Sequence, residues 1–311
     1  MVGGGIVKTS EQVERLARTD VIAEWGSLTT AFSSGNGGRD YCAVYKTAGD
    51  QKILTCTYNS LGLPNPGIEY AEKHGPRLLT LYASLCKPLC VNVSGTGVED
   101  SLELLKRAMK VGFNSITVNG ACPNKKDQPI LCDDPFAVDE LFRRADKEIG
   151  TTDAAVFWKV SLGMRRPALE YNLARVAESR TFCGIITGNT VPNAFDFDAE
   201  GRTAILTDKH SLTRGGMGGP AVLPIALDHT EFAAKRLPKG KVVVGCGGIM
   251  TSDDAMKFFL AGASMVQIVS AYREAGERPS FISDLLDQLT SRSEPMLRNL
   301  YERHCRTTGP Q

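Results

Sequence analysis

Ser115-Ile116-Thr117-Val118-Asn119-Gly120-Ala121-Cys122-Pro123-Asn124 passes from a short apolar run into a polar loop. The run reads as a buried strand, and two carboxamides flank a thiol where the strand ends. An asparagine donates and accepts hydrogen bonds without carrying charge, and a thiol can act as base or nucleophile once ionised. A cysteine by itself is more often a small buried hydrophobe. Its meaning here depends on what the rest of the chain brings to the same end of the fold.

Working outward, short apolar runs recur at 89–93, 154–160, 183–186, 242–245 and 265–269. Segments of helical period lie between them, at 98–111, 135–149, 167–179, 220–236 and 252–261. Strand–helix alternation with short, continuous apolar strands argues for a parallel sheet covered by helices. With 20–25 this makes seven core strands, and an eighth closes a TIM (β/α)8 barrel. That eighth strand belongs before the helix starting at Ser10, where only Met1 to Gly5 stands, so the first strand is expected to be truncated to a stub. Tyr41 to Tyr45 and Ile53 to Tyr58 read as an inserted β-hairpin. The expected architecture is one barrel domain over residues 1–311.

Composition narrows the function. The 311 residues carry a formal net charge of +1, which argues against general attraction to nucleic acid or anionic membrane. No run of about 18 apolar residues is present, so no transmembrane helix is expected. The amino terminus lacks the charged and apolar regions of a signal peptide. Nine cysteines without a CxxC pair, and four histidines without metal-ligand spacing, fit reduced thiols and no metal site. A cytoplasmic location is expected.

Polar residues gather where the strands end: Asn119, Cys122 and Asn124, then Lys159, then Asn189 and Thr190, then Gly247 and Gly248, then Ser270. In a TIM barrel that end is the active-site face. Lys159 closes an otherwise apolar strand, where a lysine is costly to bury unless it meets an anion or strong acceptor. Asn59, Asn119, Asn124, Asn189 and Thr190 could ring a planar, hydrogen-bonding heterocycle. The glycine pairs at 215–219 and 247–248, with Ser270, suit close backbone approach to a phosphate. Arg214 to Gly219 resembles a dinucleotide fingerprint but follows a long loop, so that context fails.

In this order, Asn59-Ser60-Leu61-Gly62-Leu63-Pro64-Asn65, Asn119 to Asn124, Lys159, Asn189-Thr190, Gly215 to Gly219, Gly247-Gly248-Ile249 and Val269-Ser270 resemble the motifs of the dihydroorotate dehydrogenase family, most closely its soluble class 1A. The similarity covers roughly residues 3–289. The resemblance implies an FMN cofactor over the barrel mouth and oxidation of dihydroorotate to orotate, a step of pyrimidine biosynthesis. It implies Cys122 as the base, with the hydride passing to the flavin. Asn59, Asn119, Asn124, Asn189 and Thr190 would hold the pyrimidine, helped by the backbone of Leu61, Gly62 and Leu63. Gly5, Asn119, Lys159, Gly218, Gly219, Gly247, Gly248, Val269 and Ser270 would hold the cofactor, with Lys159 at the flavin's N1/O2 edge. It further implies a soluble oxidant, fumarate, and a homodimer. One departure bears on the substrate: Trp25-Gly26-Ser27 lacks the lysine that the family carries after its second strand. Alternatives are a flavin enzyme for another dihydropyrimidine, or a degenerate barrel without activity.

Overall fold

The computed structural model describes residues 1–122, 130–198 and 200–291. Eight parallel strands lie side by side in chain order: β1 (Val2–Val7), β2 (Ala23–Leu28), β3 (Cys90–Val93), β4 (Ser115–Asn119), β5 (Ala155–Lys159), β6 (Phe182–Ile186), β7 (Val242–Cys246) and β8 (Met265–Gln267). A parallel bridge from Val2 to Ile268 and the bond from Gly3 N–H to the Ile268 carbonyl (3.1 Å) bring the last strand round to the first. The connections carry α1 (Ser10–Ala17), α2 (Ile68–Ser84), α3 (Val98–Val111), α4 (Pro135–Glu148), α5 (Arg166–Glu178), α6 (Leu223–Arg236) and α7 (Ser252–Leu260), with α8 (Ser270–Glu274) after β8. The TIM barrel read from strand–helix alternation is the fold.

The first strand is not a stub. β1 runs six residues and pairs with β2 from Val2↔Ala23 to Val7↔Trp25. It lacks the continuous apolar signal because its centre is Gly3-Gly4-Gly5. Gly4 faces the barrel interior, where an added Cβ would lie 2.8 Å from Glu24 Oε2 and 2.9 Å from Asn92 Nδ2. Helix α1 follows at once, capped by Thr9. Thr9 Oγ1 accepts from the Gln12 N–H while Gln12 Oε1 accepts from the Thr9 N–H, a reciprocal capping box. Ser10 is the first helical residue, its hydroxyl 2.6 Å from the Tyr70 hydroxyl.

The inserted hairpin is longer than its sequence suggests, Tyr41–Ala48 against Gln51–Asn59. It belongs to a four-stranded antiparallel sheet completed by Val191–Ala194 and Gly215–Gly218. The glycine-rich segment that follows the long loop is itself a strand, with Gly216 opposite Asn59. A Cβ at Gly215 would lie 2.2 Å from the Asn59 carbonyl oxygen, and one at Gly216 2.2 Å from Thr190 Oγ1. Only glycine lets this strand press that closely on the barrel mouth.

The interior of the barrel is polar at one level. Glu24 on β2 is fully buried. Its carboxylate accepts from the Gly4 N–H, from Asn92 Nδ2 (3.2 Å), from Thr117 Oγ1 (2.6 Å) and from Gln267 Nε2 (2.9 Å). Replacing one member strands the others, and each buried donor left without an acceptor costs about 1–3 kcal/mol. Glu24→Ala is expected to lower stability by about 3 kcal/mol, a fall of ~6 °C or more in Tm. A thermal melt matching the wild type would show that the network contributes nothing net.

Candidate active site

The β4 strand end is fixed by packing and by short-range bonds. A Cβ on Gly120 would sit 2.3 Å from the Trp158 ring, so the chain lies flat against the indole. Asn119 Oδ1 accepts from the Ala121 N–H (3.1 Å), and Asn119 Nδ2 donates to Ser27 Oγ (3.3 Å). Asn189 Nδ2 reaches across to Asn119 Oδ1 (3.3 Å) and to the Ala121 carbonyl (3.2 Å). The turn that presents Cys122 is thus held by amides from two strands. Cys122 is half-buried and faces a cleft at the carboxyl ends of the barrel strands.

That cleft measures about 1140 Å³ out to its mouth. It brings together Asn59, Leu61, Leu63, Asn119, Cys122, Lys159, Asn189, Thr190, Gly5, Gly218, Gly219, Gly247, Gly248, Val269 and Ser270. Gly62 is not in its wall. It has φ +68°, and its missing Cβ would lie 2.2 Å from Asn36 Oδ1, so it turns the loop that carries Leu61 and Leu63 inward. Asn65, from the same motif, is a buried strut. Its Oδ1 accepts from the Thr29 and Gly67 N–H groups, and its Nδ2 donates to the Leu63 carbonyl. Asn124 lies outside the described residues.

Lys159 is 3% exposed and donates to Gln267 Oε1 at 3.0 Å. Gln267 in turn donates to Glu24, so its amide can hold only one orientation: oxygen to the ammonium, nitrogen to the carboxylate. At the other end, Thr57 Oγ1 and Ser270 Oγ lie 3.4 Å apart beside Gly218. The Arg273 guanidinium stacks 3.9 Å over the Tyr41 ring at the cleft edge.

Residues 1–292 match the family described as Dihydroorotate dehydrogenase. The chain belongs to the dihydroorotate dehydrogenase family. Its relatives include the dihydroorotate dehydrogenase (fumarate) of Trypanosoma cruzi, 30% identical over 74% of this chain and 71% of that protein. The Saccharomyces mikatae dihydroorotate dehydrogenase (fumarate) is 29% identical over 86% of this chain and 81% of its own. Lactococcus lactis dihydroorotate dehydrogenase A (fumarate) is 27% identical over 74% and 72%. The crystal structure of the Eimeria tenella enzyme in complex with ferulenol has the same fold, with TM-score 0.72, 17% identity, and coverage of 94% of this chain and 81% of that one. Members of this family are flavin-dependent.

The wall fits a flat, polar group. Gly5 has φ +116°, and a Cβ there would project into open space, so the wall carries no side chain at that point. Asn92 Oδ1 and Thr190 Oγ1 are buried without hydrogen-bond partners among the described residues, and both residues line the cleft. Among the described residues, no helix is long and apolar enough to cross a membrane, and no group of His, Cys, Asp and Glu could hold a metal ion.

Sequence reasoning missed Lys8, Glu24, Asn92, Gln267 and Arg273. Glu24 and Gln267 carried the same signal as Lys159, a costly polar residue in an apolar run. Lys8 carried none, because it follows a strand that did not read as one. Burial draws the Lys8 ammonium down to about 8, with the Cys122 sulfur and the Glu24 carboxylate opposing that shift. Below pH 8 the lysine is charged in both the folded and unfolded chain, and the full desolvation cost bears on the fold. From about 8 to its ordinary 10.5 the folded lysine releases its proton while the unfolded one keeps it, so the cost fades. In ligand-free protein, Lys8→Met is expected to melt above wild type at pH 7, by on the order of 2 °C, with the gain vanishing toward pH 10.5. A variant melting at or below wild type at pH 7 would show that the ammonium is already compensated.

Proposed function

We propose that the protein oxidises dihydroorotate to orotate with bound FMN and passes the electrons to a soluble acceptor, fumarate being the one named for its relatives. The observation that carries this reading is Cys122 on a turn pinned by Asn119 and Asn189, facing a cleft with glycines in its wall and a buried lysine. FMN supplies the hydride acceptor. The Cys122 sulfur takes the proton from the ring carbon next to the one that gives up the hydride, so the ring loses two hydrogens and gains a double bond. Asn59, Asn119, Asn189 and Thr190 present amide and hydroxyl groups that suit the alternating donors and acceptors of a pyrimidine. Asn124 is the fifth residue proposed for this set.

Lys159 is the proposed partner of the flavin edge that gains negative charge. Its anchor on Gln267 fixes the ammonium before the charge develops, so no reorganisation is needed when it does. Gly218, Gly219, Gly247, Gly248, Val269 and Ser270 are proposed to hold the phosphate, and the Arg273 cation lies at the same end.

Purified protein is expected to be yellow, and dihydroorotate is expected to bleach its visible band under anaerobic conditions. Colourless protein that does not take up FMN would sink the reading. Cys122→Ala is expected to keep its flavin while reduction by dihydroorotate slows at least ~100-fold, the scale of a lost general base. Unchanged single-turnover kinetics would remove the thiol from the mechanism. Lys159→Ala is expected to weaken FMN retention on dialysis and to slow flavin reduction. A normal spectrum and a normal rate would leave that lysine with only its bond to Gln267.

A further inference from the structure

The cleft holds a second lysine for which the reading so far has no use. Lys8 stands one residue beyond β1 and lines the cleft on the side of β1 and β2, together with Ile6 and Ser27. Among the described residues, no carboxylate lies within ion-pair distance of its Nζ and no hydrogen-bond acceptor is in reach. Lys8 is half-buried, and an ammonium partly withdrawn from water without a partner raises the free energy of the empty fold. It is expected only where something anionic arrives to offset it.

Position 26, inside β2, leaves no room for a cation. Gly26 has φ +132°, and a Cβ on it would lie 2.3 Å from the Asn92 carbonyl oxygen and 2.9 Å from the Leu28 nitrogen. Those neighbours are backbone and cannot swing aside, so β2 can carry no lysine at that position. The neighbouring strand reaches the same wall of the cleft from residue 8.

The surroundings also decide which anion Lys8 meets. Lys159 lies deep, bonded to Gln267 and through it tied to Glu24. Ser270, Gly218 and Arg273 mark the phosphate end. Lys8 instead lines the cleft beside Ser27, whose hydroxyl accepts from Asn119 Nδ2 at 3.3 Å, one of the amides proposed for the pyrimidine. Resting on the function proposed above, we propose that Lys8 is the specificity-determining cation that binds the carboxylate of the pyrimidine substrate.

The test compares two ligands that share the pyrimidine ring and differ in the carboxylate, orotate and uracil. Each is titrated into oxidised, FMN-loaded wild type, Lys8→Met and Lys8→Arg, and the shift of the flavin band is read. Wild type is expected to bind orotate at least ~30-fold more tightly than uracil, within the range of a buried charge-assisted bond. Lys8→Met is expected to lose that preference while its uracil affinity and flavin spectrum stay within ~3-fold and unchanged, respectively. Lys8→Arg, which keeps the charge and the fold, is expected to retain most of the preference. If wild type prefers orotate and Lys8→Met prefers it equally, Lys8 is not the carboxylate's partner and the function stands. If FMN-loaded wild type shows no preference for orotate, the substrate reading falls and takes the assignment of Lys8 with it.

Discussion

The carboxylate of Glu24 is the constraint on which the barrel's working end depends. A fully buried carboxylate is tolerated only when donors from its surroundings replace the water it loses. Here the donors come from four other strands: Gly4 on β1, Asn92 on β3, Thr117 on β4 and Gln267 on β8. Gln267 extends the chain of bonds to Lys159 on β5. One side chain therefore sets the relative height of most of the strands whose ends form the cleft. It also explains how a buried ammonium is tolerated at the end of β5: its anchor Gln267 is itself bonded to the Glu24 carboxylate.

The same constraint accounts for the composition of β1. A side chain at Gly4 would occupy the space used by the Glu24 and Asn92 side chains, and one at Gly5 would project into open space at the cleft wall. The strand is paired at both edges, to β2 at its two ends with an irregularity between, and to Ile268 at its start. Its stability comes from backbone bonds and from Val2, Ile6 and Val7 in the core. Glycine in a strand interior normally weakens it. The closed barrel removes that liability by leaving the strand no free edge.

This division marks what could be read from the residues alone. The seven apolar strands, the helices between them and the Asn119–Cys122 turn were legible because each announces itself locally, by periodicity or by a short motif. β1 was not, since its signal was replaced by a requirement set elsewhere, the volume of Glu24. The strand Gly215–Gly218 was hidden for the same reason: its glycines answer to Asn59 and Thr190, far away in the chain. Gly62 and Asn65 were legible as a motif, yet their parts differ. One turns the loop and the other braces it, while Asn59, Leu61, Leu63 and Pro64 reach the cleft.

A barrel mouth is a ring of strand ends, and a ligand in its centre is within reach of several of them. The requirement for a positive charge is set by where the ligand's negative charge lies, whereas the strand that supplies it is set by which backbone leaves room. At position 26 the Asn92 carbonyl occupies the place of a Cβ. At position 8 the chain has just left β1 and has not yet entered α1, so its side chain is free of both packing layers and opens onto the cleft. Along the chain, Trp25-Gly26-Ser27 offers no lysine, whereas in space Lys8, one residue beyond β1, brings a positive charge to the cleft that Ser27 also lines.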